Sequence, residues 1–161
     1  MSTVSAILRS YRAPRAVLKA HLDQGAGEER ALAWVMTACV LFFVARLPGL
    51  AREVHLSGGD PPFEALAGAA FVGTVMMAPL ALYGLAALSH LVARVFGGQG
   101  RYVSARLALF WALLASVPLV LLQGLVAGFI GPGPELSLTS LLAFGVFLFI
   151  WINGLIAAEK A

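Results

Sequence analysis

A histidine and an arginine four residues apart, His90 and Arg94, are the first groups in this sequence that could do chemistry. On a helix that spacing puts both on one face. Such a pair can hold a lipid phosphate or line a polar cleft. The plainer reading, which is favoured, has Arg94 snorkelling to headgroups while His90 hydrogen-bonds a neighbouring helix. Pro79 and Pro118 interrupt long apolar stretches. Each removes a backbone donor and frees a carbonyl one turn earlier. In transporters such breaks build a substrate site at mid-membrane, and a static kink is the commoner result. Pro79, His90, Arg94 and Pro118 together outline one candidate, a small transporter or channel.

The rest of the chemical inventory is short. An ionisable residue inside an apolar span is a functional hypothesis by default. Asp and Glu are absent from the middle of every apolar stretch, and Glu64 and Glu159 sit at ends. That argues against a proton-coupled transporter with a central carboxylate. There is no HExxH, GxSxG, CxxC or phosphate-binding glycine loop, so no catalytic residue, cofactor or metal is expected. Cys39 stands alone in an apolar run. It excludes an intrachain disulfide and reads as a small buried residue. His21 and His55 fall on opposite sides of the expected topology. No basic stripe interleaves with aromatics, so nucleic acid is not an expected partner.

The elements that must position these residues follow from composition. Of 161 residues, 60% are hydrophobic and 12% charged, where a soluble domain carries about 25% charged residues. Lipid is therefore the solvent for much of the surface. Arg outnumbers Lys among the basic residues, and Ala and Leu are abundant, which points to a GC-rich bacterial genome. A bilayer core of about 30 Å needs roughly 20 apolar residues. Four stretches qualify, at 31–50, 64–96, 104–130 and 138–158. The expected fold is all-α, a polytopic membrane bundle of four transmembrane helices over residues 31–161. Asp60 is expected to cap the second span with Pro61 at its first position, and Ser137 to cap the last. The second span is longer than one crossing needs and reads as one helix kinked at Pro79.

Residues 1–30 differ from the rest. Val4, Ile7, Leu8, Tyr11, Leu18 and Leu22 alternate with Arg9, Arg12, Arg15 and Lys19, broken near Pro14. This predicts a pair of short basic amphipathic helices in the membrane interface, with the cations toward anionic headgroups, in preference to a cytoplasmic tail packed on the bundle. No uninterrupted apolar core follows a basic start, so a cleavable leader is not expected. With four spans, nine Lys and Arg fall on one side and Arg46 and Arg52 on the other. Both termini are then expected in the cytoplasm.

Packing signals lie within the spans. Gln123 and Asn153 are expected to join helices through amide hydrogen bonds. Gly124 and Gly128 form a GxxxG face for close helix approach, within the bundle or between copies. Ala69 and Gly73 make a weaker face of the same kind.

Phe96-Gly97-Gly98-Gln99-Gly100-Arg101-Tyr102, then Leu109-Phe110-Trp111-Ala112 and Ser116-Val117-Pro118-Leu119, resemble the most recognisable stretch of the Yip-domain family. The basic start and the last span, with Trp151 and Gly154, fit as well. The resemblance implies an all-helical membrane domain with a cytoplasmic N-terminus. Eukaryotic relatives act in vesicle trafficking with small GTPases. This chain departs from the family's usual five spans and lacks a long N-terminal region, so GTPase binding is not carried over. The expected function is that of a non-enzymatic, multi-pass protein of the bacterial inner membrane. It would organise membrane or assemble partners through helix and lipid contacts. Anionic lipids are its expected partners, with a membrane protein or a second copy also open.

Overall fold

The computed structural model describes residues 2–160. The chain is helical throughout. Two short helices, α1 (Thr3–Ser10) and α2 (Pro14–Asp23), precede α3 (Glu28–Leu56). Next comes a composite helix made of α4 (Phe63–Phe71), a π-helical segment (Val72–Met77) and α5 (Ala78–Val95). Then follow α6 (Tyr102–Phe129) and α7 (Pro134–Glu159). Among the described residues, four helices are long and apolar enough to cross a membrane: α3, the composite helix, α6 and α7. The count of four agrees with the hydropathy reading.

Helix α6 is the axis of the bundle. More than half of its apolar window, 56%, is buried, against 17% for the composite helix and 22% for α7. An unbroken buried run extends from Leu107 to Val117 and includes Trp111 and Phe110. The remaining helices bury one stripe each and leave the other faces to lipid, as expected where lipid rather than water surrounds the fold.

Close approach holds α3 to α6. A Cβ at Gly124 would collide with the backbone carbonyl of Ala45, and one at Gly128 with Pro48. The GxxxG face is thus used inside the chain. The Ala69/Gly73 pair is exposed instead, and Gly73 has no neighbouring atom where a Cβ would stand. Only the first face is matched by an opposing groove.

Several local expectations are corrected. The second span begins at Phe63 behind Pro62, with no side-chain cap, so Asp60 does not cap it and Pro61 is not its first residue. The last helix begins at Pro134 after Gly133, and Ser137 lies inside it with its hydroxyl donating to the Gly133 carbonyl at 3.2 Å. The first span is longer than its apolar run, because Glu28 and Glu29 suit a helix N-terminus and the helix continues through Pro48 to Leu56. Arg46 therefore lies ten residues, about 15 Å, from the helix end rather than close to it. In the composite helix the irregularity precedes Pro79. The ring removes one donor and crowds the turn before it, and a widened π turn absorbs both.

Replacing Gly124 by alanine is expected to destabilise the bundle by about 1–3 kcal/mol through overpacking against α3. Gly145→Ala, where no atom lies within 4 Å of the added methyl, should be close to neutral. Detergent-resistant thermal unfolding of the two variants measures the contrast.

Candidate functional site

The end of the bundle that carries both termini gathers most of the polar side chains. It is built first by the turn between α5 and α6. Helix α5 stops because Gly97 adopts φ +86°, a left-handed conformation natural to glycine. The Gly98 N–H then donates to the Ala93 carbonyl and the Gly97 N–H to that of Arg94, which closes a Schellman cap. The turn runs on beneath the end of α7. Gln99 N–H donates to the Glu159 carbonyl at 3.1 Å, and Gly100 N–H to Glu159 Oε2 at 3.0 Å. A Cβ on Gly98 would stand 2.5 Å from that oxygen. Glycine is required here for room as well as for its turn.

The other oxygen of Glu159 faces His90. Nδ1 of His90 lies 2.7 Å from Oε1, and the two side chains are 2% and 7% exposed. Nδ1 and Oε1 share one hydrogen bond. The Tyr102 ring covers the imidazole at 4.2 Å between centroids. Buried charge is costly unless its hydrogen-bonding capacity is met, and both carboxylate oxygens have donors. Beside this clamp, Arg106 Nη1 donates to Glu28 Oε2 at 2.8 Å, which joins α6 to α3.

Helices α1 and α2 form a hairpin docked on α6 and α7. Trp111 Nε1–H donates to Ser10 Oγ at 2.9 Å, and Ser10 donates to Ala6 O at 2.9 Å. The Tyr11 hydroxyl donates to the Ala115 carbonyl at 2.7 Å. Ala115 is halfway along α6, next to Leu114, whose carbonyl loses its usual donor to Pro118. Arg15 Nε–H donates to Asn153 Oδ1 at 2.8 Å. Leu18 is fully buried where Gly154 and Ala108 leave space. His21 closes a triangle with Trp34 and Trp111, with centroids 4.6–5.0 Å apart. Both its ring nitrogens are shielded and lack a hydrogen-bond partner. Burial first, then the charge of Arg30, holds its pKa below the ordinary 6.5.

The sequence candidates divide accordingly. His90 and Arg94 are not joined: His90 is buried against Glu159 and Arg94 is exposed. Pro79 is buried while Pro118 is exposed, and His90 lies about 16 Å along the helix from Pro79. These four residues therefore do not share one site. Arg9, Arg12, Arg15 and Lys19 are all exposed on the hairpin. Asn153 binds Arg15 of the hairpin rather than a second span. Gln123 Nε2 donates to Ser140 Oγ of α7 at 3.3 Å. Sequence reading missed Glu159 as the partner of His90. Its signal was available, since a histidine one turn and a half from the end of α5 faces the last acidic residue of an adjacent span. Among the described residues no group of three His, Cys, Asp or Glu could hold a metal ion.

Charge is unevenly placed. Arg46, Arg52, Glu53, Asp60, Glu64 and Glu135 lie toward the end without termini. The other nine Lys and Arg and the other four Asp and Glu belong to the termini-bearing half.

A family model described as the Yip1 domain matches residues 8–160. The match includes the hairpin from Leu8 onward, the glycine turn and Glu159. No curated protein and no solved structure matches the chain.

Removing Glu159 as alanine strands His90 and the Gly100 N–H and is expected to cost about 1–3 kcal/mol. His90→Ala combined with it should cost less than the two single losses added. A double-variant cycle by denaturant unfolding in micelles should read a coupling of about 0.5–3 kcal/mol.

Because the docked imidazole of His21 resists protonation, an undocked hairpin binds one more proton below pH 6.5. Docking should be at full strength above about pH 6.5 and weaken as pH falls toward the lowered native value. The emission of Trp34 and Trp111 between pH 7.5 and 5 follows it, and His21→Phe should flatten the profile.

Proposed function

The chain belongs to the Yip1 domain family, and on that premise we propose that this multi-pass membrane protein organises membrane or assembles partners without catalysing a reaction. It acts through helix and lipid contacts in a bacterial inner membrane, with both termini in the cytoplasm. The observation that carries this reading is the basic half of the bundle. Nine Lys and Arg gather there, and Arg9, Arg12, Arg15 and Lys19 project from a hairpin anchored to two spans. A fixed row of cations is a better reader of a membrane surface than a loose tail, because its ordering cost is met on folding. Anionic headgroups are its natural counterpart, at about 1 kcal/mol for each base near the surface. Glu159, His90, Trp111 and Ser10 at this end are matched to one another, as in an assembled scaffold rather than a reacting site.

Arg9, Arg12, Lys19 and Arg94 replaced together by glutamine should lower the preference for anionic over zwitterionic lipid at least tenfold, with Arg15 kept for its bond to Asn153. Native mass spectrometry of protein extracted from mixed liposomes measures that ratio. An unchanged ratio refutes lipid-headgroup reading by the hairpin, and purified protein that moves a solute across liposomes refutes the organiser role. Reporter fusions at the C-terminus and in the 131–134 loop test the orientation, with cytoplasmic signal expected only from the first.

A further inference from the structure

From the middle of the bundle toward the end opposite the termini, α3, α6 and α7 line an open cavity of about 340 Å³, within the range of small-molecule sites. Its walls are hydrocarbon: Phe42 from α3, Val120 from α6, Phe144 and Phe147 from α7. Gln123 and Ser140 also line it and supply a polar spot. Their one mutual hydrogen bond is long, 3.3 Å. The amide and the hydroxyl together carry three hydrogens, and that bond uses one. Among the described residues neither the Gln123 amide nor the Ser140 hydroxyl donates a further hydrogen bond, whereas Ser116, also in the lining, donates to Leu113 O at 2.8 Å. In a bilayer an unmet polar group costs several kcal/mol, so the pair is built for a partner that the bundle does not provide.

Depth identifies the partner. Gln123 lies six residues before the end of α6 and Ser140 six residues after the start of α7, each about 9 Å from the helix end. Helices of 26 and 28 residues are about 40 Å long and overshoot a 30 Å hydrocarbon core by about 5 Å at each end. The polar pair thus sits just inside the hydrocarbon boundary, within reach of ester carbonyls. Phe147 is about 20 Å from the start of α7, so the apolar walls continue inward to mid-bilayer. A carbonyl at the rim and a hydrocarbon chain below it is the shape of a glycerolipid ester.

We infer that this cavity seats one ester-linked acyl chain of a membrane lipid from the leaflet opposite the termini. Its ester carbonyl accepts from the Ser140 hydroxyl and the Gln123 amide. The site is separate from the cationic hairpin and does not depend on headgroup charge.

The test uses the full-length protein in liposomes with a diacyl phospholipid carrying a photoactivatable diazirine in mid-chain. Peptide mapping should find labelling at Val120, Phe144 and Phe147 at least threefold above Leu80 and Leu88, two residues exposed on the outer face of α5. Two variants, Gln123→Leu with Ser140→Ala, and Ala143→Phe to fill the cavity, should each bring labelling down to that of α5. Thermal unfolding checks that each is folded, and one folded variant suffices. A diether analogue of the probe, which lacks the carbonyl, should label the cavity no more than α5. Uniform labelling along the bundle, or a diether probe as effective as the ester, overturns the inference. Glutamine at Arg9, Arg12, Lys19 and Arg94 should leave the labelling unchanged, which separates this site from the headgroup reading at the other end.

Discussion

Close contact between α3 and α6 is the constraint on which the rest of the bundle depends. Between lipid-exposed helices there is no hydrophobic drive, since a lipid tail is as apolar as leucine. Association must come from dispersion at short range, which falls steeply with a gap of even half an ångström. Gly124 and Gly128 supply that range by letting α6 approach Ala45 and Pro48 of α3. Once α6 is held there, its remaining faces become the surfaces on which α5, α7 and the hairpin assemble. The unbroken buried run from Leu107 to Val117 is the result.

Those secondary contacts include polar ones as well as apolar ones, for the reason that polar groups in a membrane must find partners in the protein. Glu159 resolves this with His90 and the Gly100 N–H. Trp111 resolves it with Ser10, and the turn opened by Pro118 receives the Tyr11 hydroxyl beside its lost donor. The hairpin therefore completes α6 as well as covering it. Where α6 ends, Arg52 Nη1 points toward the Gly128 carbonyl at 3.5 Å, close to Gly131, a cation placed at the negative end of a helix.

What could be read in advance follows from which physical signals are local. Hydropathy reports the solvent, so the four spans and the amphipathic hairpin with its break near Pro14 were legible. Boundaries were not, because Glu28, Glu29, Arg52 and Glu53 are polar residues on helices that outrun the hydrocarbon. Spacing put His90 and Arg94 on one face, but rotation of a helix about its axis is set by its neighbours. That rotation turned His90 inward and left Arg94 outside. Glu159 looked terminal by sequence position; only the glycine turn folding over it made it buried. Asn153 had the right chemistry for a helix joint, and its partner came from the hairpin because Gly154 and Ala108 leave Leu18 room to bring α2 alongside.

The two ends of the bundle are consequently held by different forces. The termini-bearing end relies on hydrogen bonds between side chains, at Glu159 and His90 and at Arg106 and Glu28, which are strong at short range. The other end relies first on steric fit at two glycines, with Arg52 beside the end of α6. On the proposed function, that division lets the basic end meet headgroups while the spans stay packed at Gly124 and Gly128.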